Sequence, residues 1–343
     1  LDDAAWRPIS QPPTDRPWHE TRATLEEIVA ICRANPLAAR LVALTTDFVV
    51  GSGARLATTD PLAQRAWEHP LNGMARRLYR WCDELTRTGE LFVVLSRNPV
   101  DGLSYVREVP ALQITAIETD PNDVERELAF HQADATLEGR TWRAAGAAGT
   151  AAMPQADQVM LHYAINRPVG ETRGQSDLAT LVPWLERYDL WLEDRVRINR
   201  YKGAYLWHVT LEGAAVGQIE ARRALYARIP KPGSIIVSDA QERWQAVQPN
   251  IGADDVESDG KALRLMIAAG AGVPLHMLGE GEGANRATAR EMATVAYRHF
   301  SHRQRVLSDM AEDVLGWIVR RAGREPGDIQ VTFESVLAED SRS

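Results

Sequence analysis

The chain has 343 residues, 45% of them hydrophobic, enough for a sizeable core and more than one domain, which excludes a disordered tail. Its net charge of -8 argues against a protein whose main task is to grip DNA, because that affinity comes from Lys and Arg neutralising phosphates; DNA as cargo stays open. The only cysteines, Cys32 and Cys82, cannot build a disulfide framework or a metal cluster, and they suit folding in a reducing cytosol.

In chain order, Ala23 to Thr46 has helical periodicity through Leu25, Ile28, Val29, Ile31, Leu37, Leu41 and Leu44, with an interruption at Asn35-Pro36. A second helix is expected over Leu62 to Thr88, where Trp67, Leu71, Met74, Leu78, Trp81 and Leu85 recur every three or four residues. From Glu90 to Asn166 the pattern changes to short β-rich runs at Leu91–Leu95, Leu103–Val106, Gln113–Ile117, Glu127–His131 and Val159–Ile165. Turn signals at Asn98–Gly102 and Asp120–Asp123 separate them, which predicts an antiparallel α+β domain. Ala144 to Ala152, rich in Ala and Gly, is expected to be a surface loop.

Ser176 to Tyr201 is an amphipathic helix with Leu178, Leu181, Leu185, Tyr188, Leu192 and Val196 on one face. A compact unit follows: strand Ala204–Leu211, helix Gln218–Ala227, and strands Ser234–Val237 and Arg243–Val247. So small a unit has little core of its own, and its apolar faces need a neighbour. A shorter helix covers Asp254 to Ala269, opening on Asp254, Asp255, Glu257 and Asp259 at its positive dipole end. The segment Gly279-Glu280-Gly281-Glu282-Gly283-Ala284-Asn285-Arg286 reads as a loop without an apolar anchor. Thr288 and Glu291 then form a capping box for a helix running to Ala322, about 50 Å long, with a one-sided stripe of Ala296, Phe300, Leu307, Met310, Val314 and Ile318.

The motifs of catalysis are missing: there is no Gly-x-Ser-x-Gly elbow, His-Glu-x-x-His helix or Cys-x-x-Cys pair, so no enzyme activity, cofactor or metal is expected. Gly279, Gly281 and Gly283 lack the preceding strand and following Gly-Lys-Ser/Thr of a phosphate loop. His299 and His302 lack a third metal ligand and read as surface or interface residues, while His162, in a strand, reads as a satisfied structural histidine. Trp184, Tyr188 and Trp191 could stack on bases, but their helical spacing beside leucines favours core or subunit contact. Arg290, Arg298, Arg303 and Arg305 fit either a solvated helix face or a contact with packaged DNA or a scaffold protein. The apolar stretches Leu41–Val50 and Leu263–Leu278 are too short or too interrupted to cross a bilayer, so no membrane partner is expected.

The order of elements resembles that of portal proteins of tailed double-stranded DNA bacteriophages. Collinear strings carry the likeness: Asn35-Pro-Leu37, Phe48-Val-Val-Gly51, Thr88-Gly-Glu-Leu-Phe92, Leu161-His-Tyr163, Arg173-Gly-Gln-Ser176, Gly272-Val-Pro-Leu275 and Asn285-Arg-Ala-Thr-Ala289. The resemblance implies a wing over residues 1–175, a stem helix at 176–202, a clip at 203–253, a second stem helix at 254–271, a tunnel loop at 272–287 and a long spine helix at 288–322. Residues 323–343 would then begin a short or truncated crown. It further implies a homo-oligomeric ring of twelve copies at the unique capsid vertex of a virion, assembled in the bacterial host cytoplasm. The ring would conduct DNA during packaging and ejection and dock the terminase large subunit, a head-completion or tail adaptor, the major capsid protein and scaffold protein. Two other readings compete: a different ring-forming head-tail connector component, and a DNA-processing enzyme with a metal site scattered in sequence.

A conduit suits the residues. A sliding polymer must not be held, and acids lining a channel repel phosphates. Asp254, Asp255, Glu257 and Asp259 are read as that lining. Gly279, Glu280, Gly281, Glu282, Gly283, Asn285 and Arg286 are read as the pliant loop at the channel, with Asn285 and Arg286 touching phosphates transiently.

Overall fold

The computed structural model describes residues 14–133, 139–147, 158–202, 206–226, 242–247, 256–279 and 286–336. The chain divides into two compact units, Leu1–Glu186 together with Ala262–Ser343, and Arg187–Lys261.

The larger unit opens with α1 (Trp18–Ala34) and α2 (Pro36–Val49), bent by 94° at the anticipated interruption. Asn35 makes the corner: its side chain accepts from the amides of Leu37 and Ala38, and Pro36 starts the next helix where no amide is required. After β1 (Ala54–Thr58) the expected single helix at 62–88 is two helices, α3 (Pro61–Glu68) and α4 (Met74–Thr88). Pro70 and Gly73, the latter at φ 54°, break the run, and Leu71, expected in the core stripe, is 57% exposed. Met74, Leu78, Trp81 and Leu85 of α4 are buried as the spacing required.

The β-rich region forms two antiparallel sheets. In one, β2 (Glu90–Arg97) lies between β3 (Ser104–Val109) and β7 (Gln158–Ala164); in the other, β5 (Asp123–Gln132) lies between β4 (Ile114–Asp120) and β6 (Arg140–Arg143). A bridge from Ala144 to Met160 joins them, and Phe92, Val94, Ile114, Phe130, Trp142 and Met160 fill the shared core. Ala144 and Ala145, expected in a surface loop, are buried; 148–152 lie outside the described residues.

Helix α5 (Val182–Lys202) starts later than expected, after a turn at 177–181, and crosses into the smaller unit. Helix α7 (Val256–Gly270) returns the chain, and a short 3-10 turn, Leu275–Leu278, follows. The long helix α8 (Arg286–Arg321) has 36 residues, about 54 Å at 1.5 Å per residue. Its stripe of Ala296, Phe300, Leu307, Met310, Val314 and Ile318 is buried, with Phe300 stacked on Phe48 at 5.0 Å. The chain beyond α8 differs from the expected crown: β10 (Ile329–Phe333) pairs antiparallel with β1, Ala54 opposite Phe333, within the larger unit.

The smaller unit holds most of α5, the antiparallel pair β8 (Leu206–Leu211) and β9 (Glu242–Val247), α6 (Val216–Leu225) and the start of α7. Glu242 organises it, accepting from the Tyr226 hydroxyl and, at 2.9 Å, from Trp244 Nε1. The strand expected at Ser234–Val237 lies outside the described residues. Among the described residues of this unit no large apolar side chain is buried.

Candidate functional site

The residues singled out for a channel fall mostly beyond description. Asp254, Asp255, Glu280, Gly281, Glu282, Gly283 and Asn285 lie outside the described residues, and for Glu257 and Arg286, in the first turns of α7 and α8, only the backbone is described. Asp259 is exposed on α7. Gly279 ends the 3-10 turn at φ 99° with open space around it, so backbone conformation, not crowding, calls for glycine there. The first part of the expected loop is packed: Val273 and Pro274 are buried.

Trp184 is half-buried near the start of α5, and Tyr188 and Trp191 stack on each other at 5.8 Å within the smaller unit. Trp191 also covers Gly260 so closely that a Cβ there would sit 2.5 Å from its ring. Leu178 and Leu181 of the turn before α5 and Leu185 of the helix are buried, whereas farther along α5 Leu192 is 41% and Val196 52% exposed; Leu190, on another side, is 62% exposed. Arg303, one of the arginines considered for a DNA or scaffold contact, is instead buried, with Nη2 3.0 Å from Asp177 Oδ2. Arg298 and Arg305 are exposed on α8, as are His299 and His302.

Three strings far apart in sequence meet at the entry to α5. Gly89, after α4, and Gly174 cross backbone to backbone: a Cβ on Gly89 would lie 2.3 Å from the Gln175 carbonyl carbon, and one on Gly174 2.2 Å from the Gly89 oxygen. Glu90, buried in β2, pairs with Arg173 at 2.8 Å and accepts from the Gly174 amide at 3.1 Å. Arg173 also donates to the Ile114 carbonyl at 2.8 Å. His162 of β7 lies between carboxylates, Nδ1 2.6 Å from Glu127 Oε1 and Nε2 3.4 Å from Glu90 Oε1, with its ring stacked 4.3 Å from Phe92. Burial alone would lower the histidine pKa, but Glu127 and Glu90 outweigh it and push it up to about 9. Burial likewise opposes the Glu90 carboxylate, yet Arg173, His162 and the Gly174 amide hold its pKa below the ordinary value. Ser176 Oγ and the Asp177 amide both donate to the Thr86 carbonyl, and Asp177 reaches Asn166 at 2.7 Å as well as Arg303. Sequence reading noted the strings Thr88–Phe92, Leu161–Tyr163 and Arg173–Ser176 but not that they touch. Glu90, an acid opening the apolar run Leu91–Leu95, was the available signal.

The cluster is an anchor: its side chains bond one another and the backbone, with His162 Nε2 and Arg173 Nε buried without a hydrogen-bond partner among the described residues. Among the described residues no group of three or more His, Cys, Asp or Glu is placed to hold a metal ion, and no single helix is long and apolar enough to cross a membrane.

No protein-family model matches the sequence, and neither does any curated protein. Solved structures do. A chain in the virion of a native gene transfer agent (GTA) particle superposes with a TM-score of 0.66 at 14% identity, over 97% of this chain and 89% of that one. A chain in the neck of the native GTA particle, computed with C12 symmetry, gives 0.61 at 14% identity, over 97% and 88%. One in the neck of the empty particle, computed with C6 symmetry, gives 0.63 at 13%, over 92% and 87%. The likeness extends over nearly the whole of both chains and establishes a shared fold.

Proposed function

We propose that the chain is a portal subunit, one of a ring of copies at the capsid vertex of a phage or phage-derived particle, through which double-stranded DNA passes. The observation that carries this reading is the fold, shared over 97% of the chain with a chain in the neck of a particle computed with C12 symmetry. In this reading α5 and α7 are the stem helices, residues 203–253 the clip, 272–287 the tunnel loop and α8 the spine helix. Residues 1–175 and the strand β10 then belong together to the wing.

The ring follows from physics as well as from likeness. One subunit repeated around an axis makes a head-to-tail interface that closes on itself. The smaller unit, which buries no large apolar side chain among its described residues, gains its missing core from such a neighbour. The exposed Leu192 and Val196 then serve, with Trp184, Tyr188 and Trp191, as subunit contacts. Asp254, Asp255, Glu257 and Asp259, repeated around the axis, form an acidic band facing the DNA. Gly279, Glu280, Gly281, Glu282, Gly283, Asn285 and Arg286 form the pliant loop beside it. The ring carries no catalytic residue of its own; the motor that drives DNA, the terminase large subunit, docks on it, as do the adaptor, the major capsid protein and scaffold protein.

Native mass spectrometry of the purified protein, alone and with scaffold protein, tests the proposal. A closed ring of about twelve protomer masses is expected. A persistent monomer under both conditions, or Mg²⁺-dependent turnover of DNA or ATP, overturns it.

A further inference from the structure

The anchor beneath α5 contains four charges in a space almost closed to water. Glu90 and His162 have side chains 1% exposed, Arg173 10% and Glu127 15%. They come from four places: Glu90 from β2, Glu127 from β5, His162 from β7 and Arg173 from the segment entering α5. Arg167 stands at the rim, 3.9 Å from Glu127 and a third exposed. One more charged group touches the segment: Asp15 accepts from the Thr172 amide and hydroxyl at 2.7 Å and from the Arg173 amide at 3.2 Å. Of the uncharged neighbours, Phe92 and Phe130 pack on the imidazole, and Trp18 of α1 lies 5.2 Å from the Arg173 guanidinium. Inside the closed space two carboxylates are balanced by one guanidinium and one imidazolium. Without the second imidazole proton Glu127 keeps only Arg167, 3.9 Å away and a third exposed, as a weaker partner in a medium that solvates a carboxylate poorly.

We propose that Glu90, Glu127, His162 and Arg173 form a proton-dependent latch, which holds residues 165–177 against the sheet near neutral pH and loosens them in mild alkali. The segment it holds is the one whose position sets the start of α5. The Ile165 amide bonds the Gly89 carbonyl at 2.9 Å, the Gly174 amide bonds Glu90, and the Gln175 amide bonds the Ile165 carbonyl at 3.0 Å. The sign follows from linkage. A histidine whose pKa rises from 6.5 in the open segment to about 9 in the closed one stabilises closure fully below pH 6.5, and that stabilisation is lost as the pH rises through 9. Protonation of Glu90 plays no part in this window, since its pKa is held below the ordinary carboxylate value.

Amide hydrogen exchange across pH tests the latch. Protection factors at Ile165, Gly174 and Gln175, already corrected for the intrinsic pH dependence of exchange, are expected to fall by up to about tenfold per pH unit between about pH 6.5 and 9, then level off. Amides of the β1–β10 pair serve as the reference and stay flat. In His162→Gln the slope at the joint disappears. A flat joint in the unaltered protein, or an undiminished slope in His162→Gln, overturns the proposal. Should that variant fail to fold, imidazole nitrogen shifts of the unaltered protein at pH 7.5 decide: His162 protonated on both nitrogens supports the latch, and a neutral tautomer overturns it.

Discussion

Glu90 illustrates how one buried carboxylate commits several distant residues at once. Its two oxygens face Arg173, His162 and the Gly174 amide, and water has no access to replace any of them. Removing the strongest partner therefore does more than delete a contact, because the charge stays behind. Arg173→Ala is expected to destabilise the larger unit by about 3–5 kcal/mol, read from urea unfolding. Glu90→Gln combined with Arg173→Met, which removes both charges together, is expected to lose clearly less than the sum of the two single variants. If the losses simply add, the pair is not coupled and the joint is held by packing. The two glycines beside it fail differently. Ala at Gly174 puts a methyl 2.2 Å from the Gly89 oxygen, so the crossing of the two strings must come apart.

At the scale of elements, local rules recovered what local forces decide. The corner at Asn35-Pro36, the buried stripe of α8 and the short β-rich runs between turn signals were legible, because capping, periodicity and turn chemistry act within a few residues. The misses have a common cause. The break between α3 and α4 was hidden because apolar residues kept a helical spacing across Pro70 and Gly73. Strand β1, only Ala54-Arg-Leu-Ala-Thr58, has little β-propensity and is held by a partner far along the chain, β10. Buried Arg303 read as surface because its partner, Asp177, lies 126 residues away. The cap at Asn35 offers a direct check of the local kind. Asn35→Ala leaves the Leu37 and Ala38 amides without their acceptor and is expected to cost about 1 kcal/mol in urea unfolding, while Asn35→Ser recovers most of it. A neutral Asn35→Ala would mean that Pro36 and the packing of α2 alone set the corner.

For the whole molecule, the informative quantity is where apolar surface is left over. The larger unit buries one stripe of its long helix, a core between its two sheets and one face of α4, while leaving Leu71, Val100, Val169, Leu265, Met266 and Val295 exposed; the smaller one, among its described residues, buries no large apolar side chain and leaves Leu190, Leu192, Val196, Val216 and Ile219 exposed. A sequence of 45% hydrophobic residues carrying a net charge of -8 is not short of polar groups to cover such positions. Leu192 and Val196 lie seven and eleven residues beyond buried Leu185, on the same side of α5, so a face that is buried near the start of the helix is exposed farther along. A neighbouring copy is the partner that the proposed ring supplies, and charge on this face would oppose it without touching the core of the larger unit. Leu192→Glu with Val196→Glu is expected to leave the circular dichroism and urea midpoint of the protomer unchanged while abolishing the ring mass in native spectra, and Leu192→Met with Val196→Ile is expected to retain it. If the glutamate pair assembles as well as the parent, the exposed half of α5 faces solvent in the assembled particle and the copies meet through another surface.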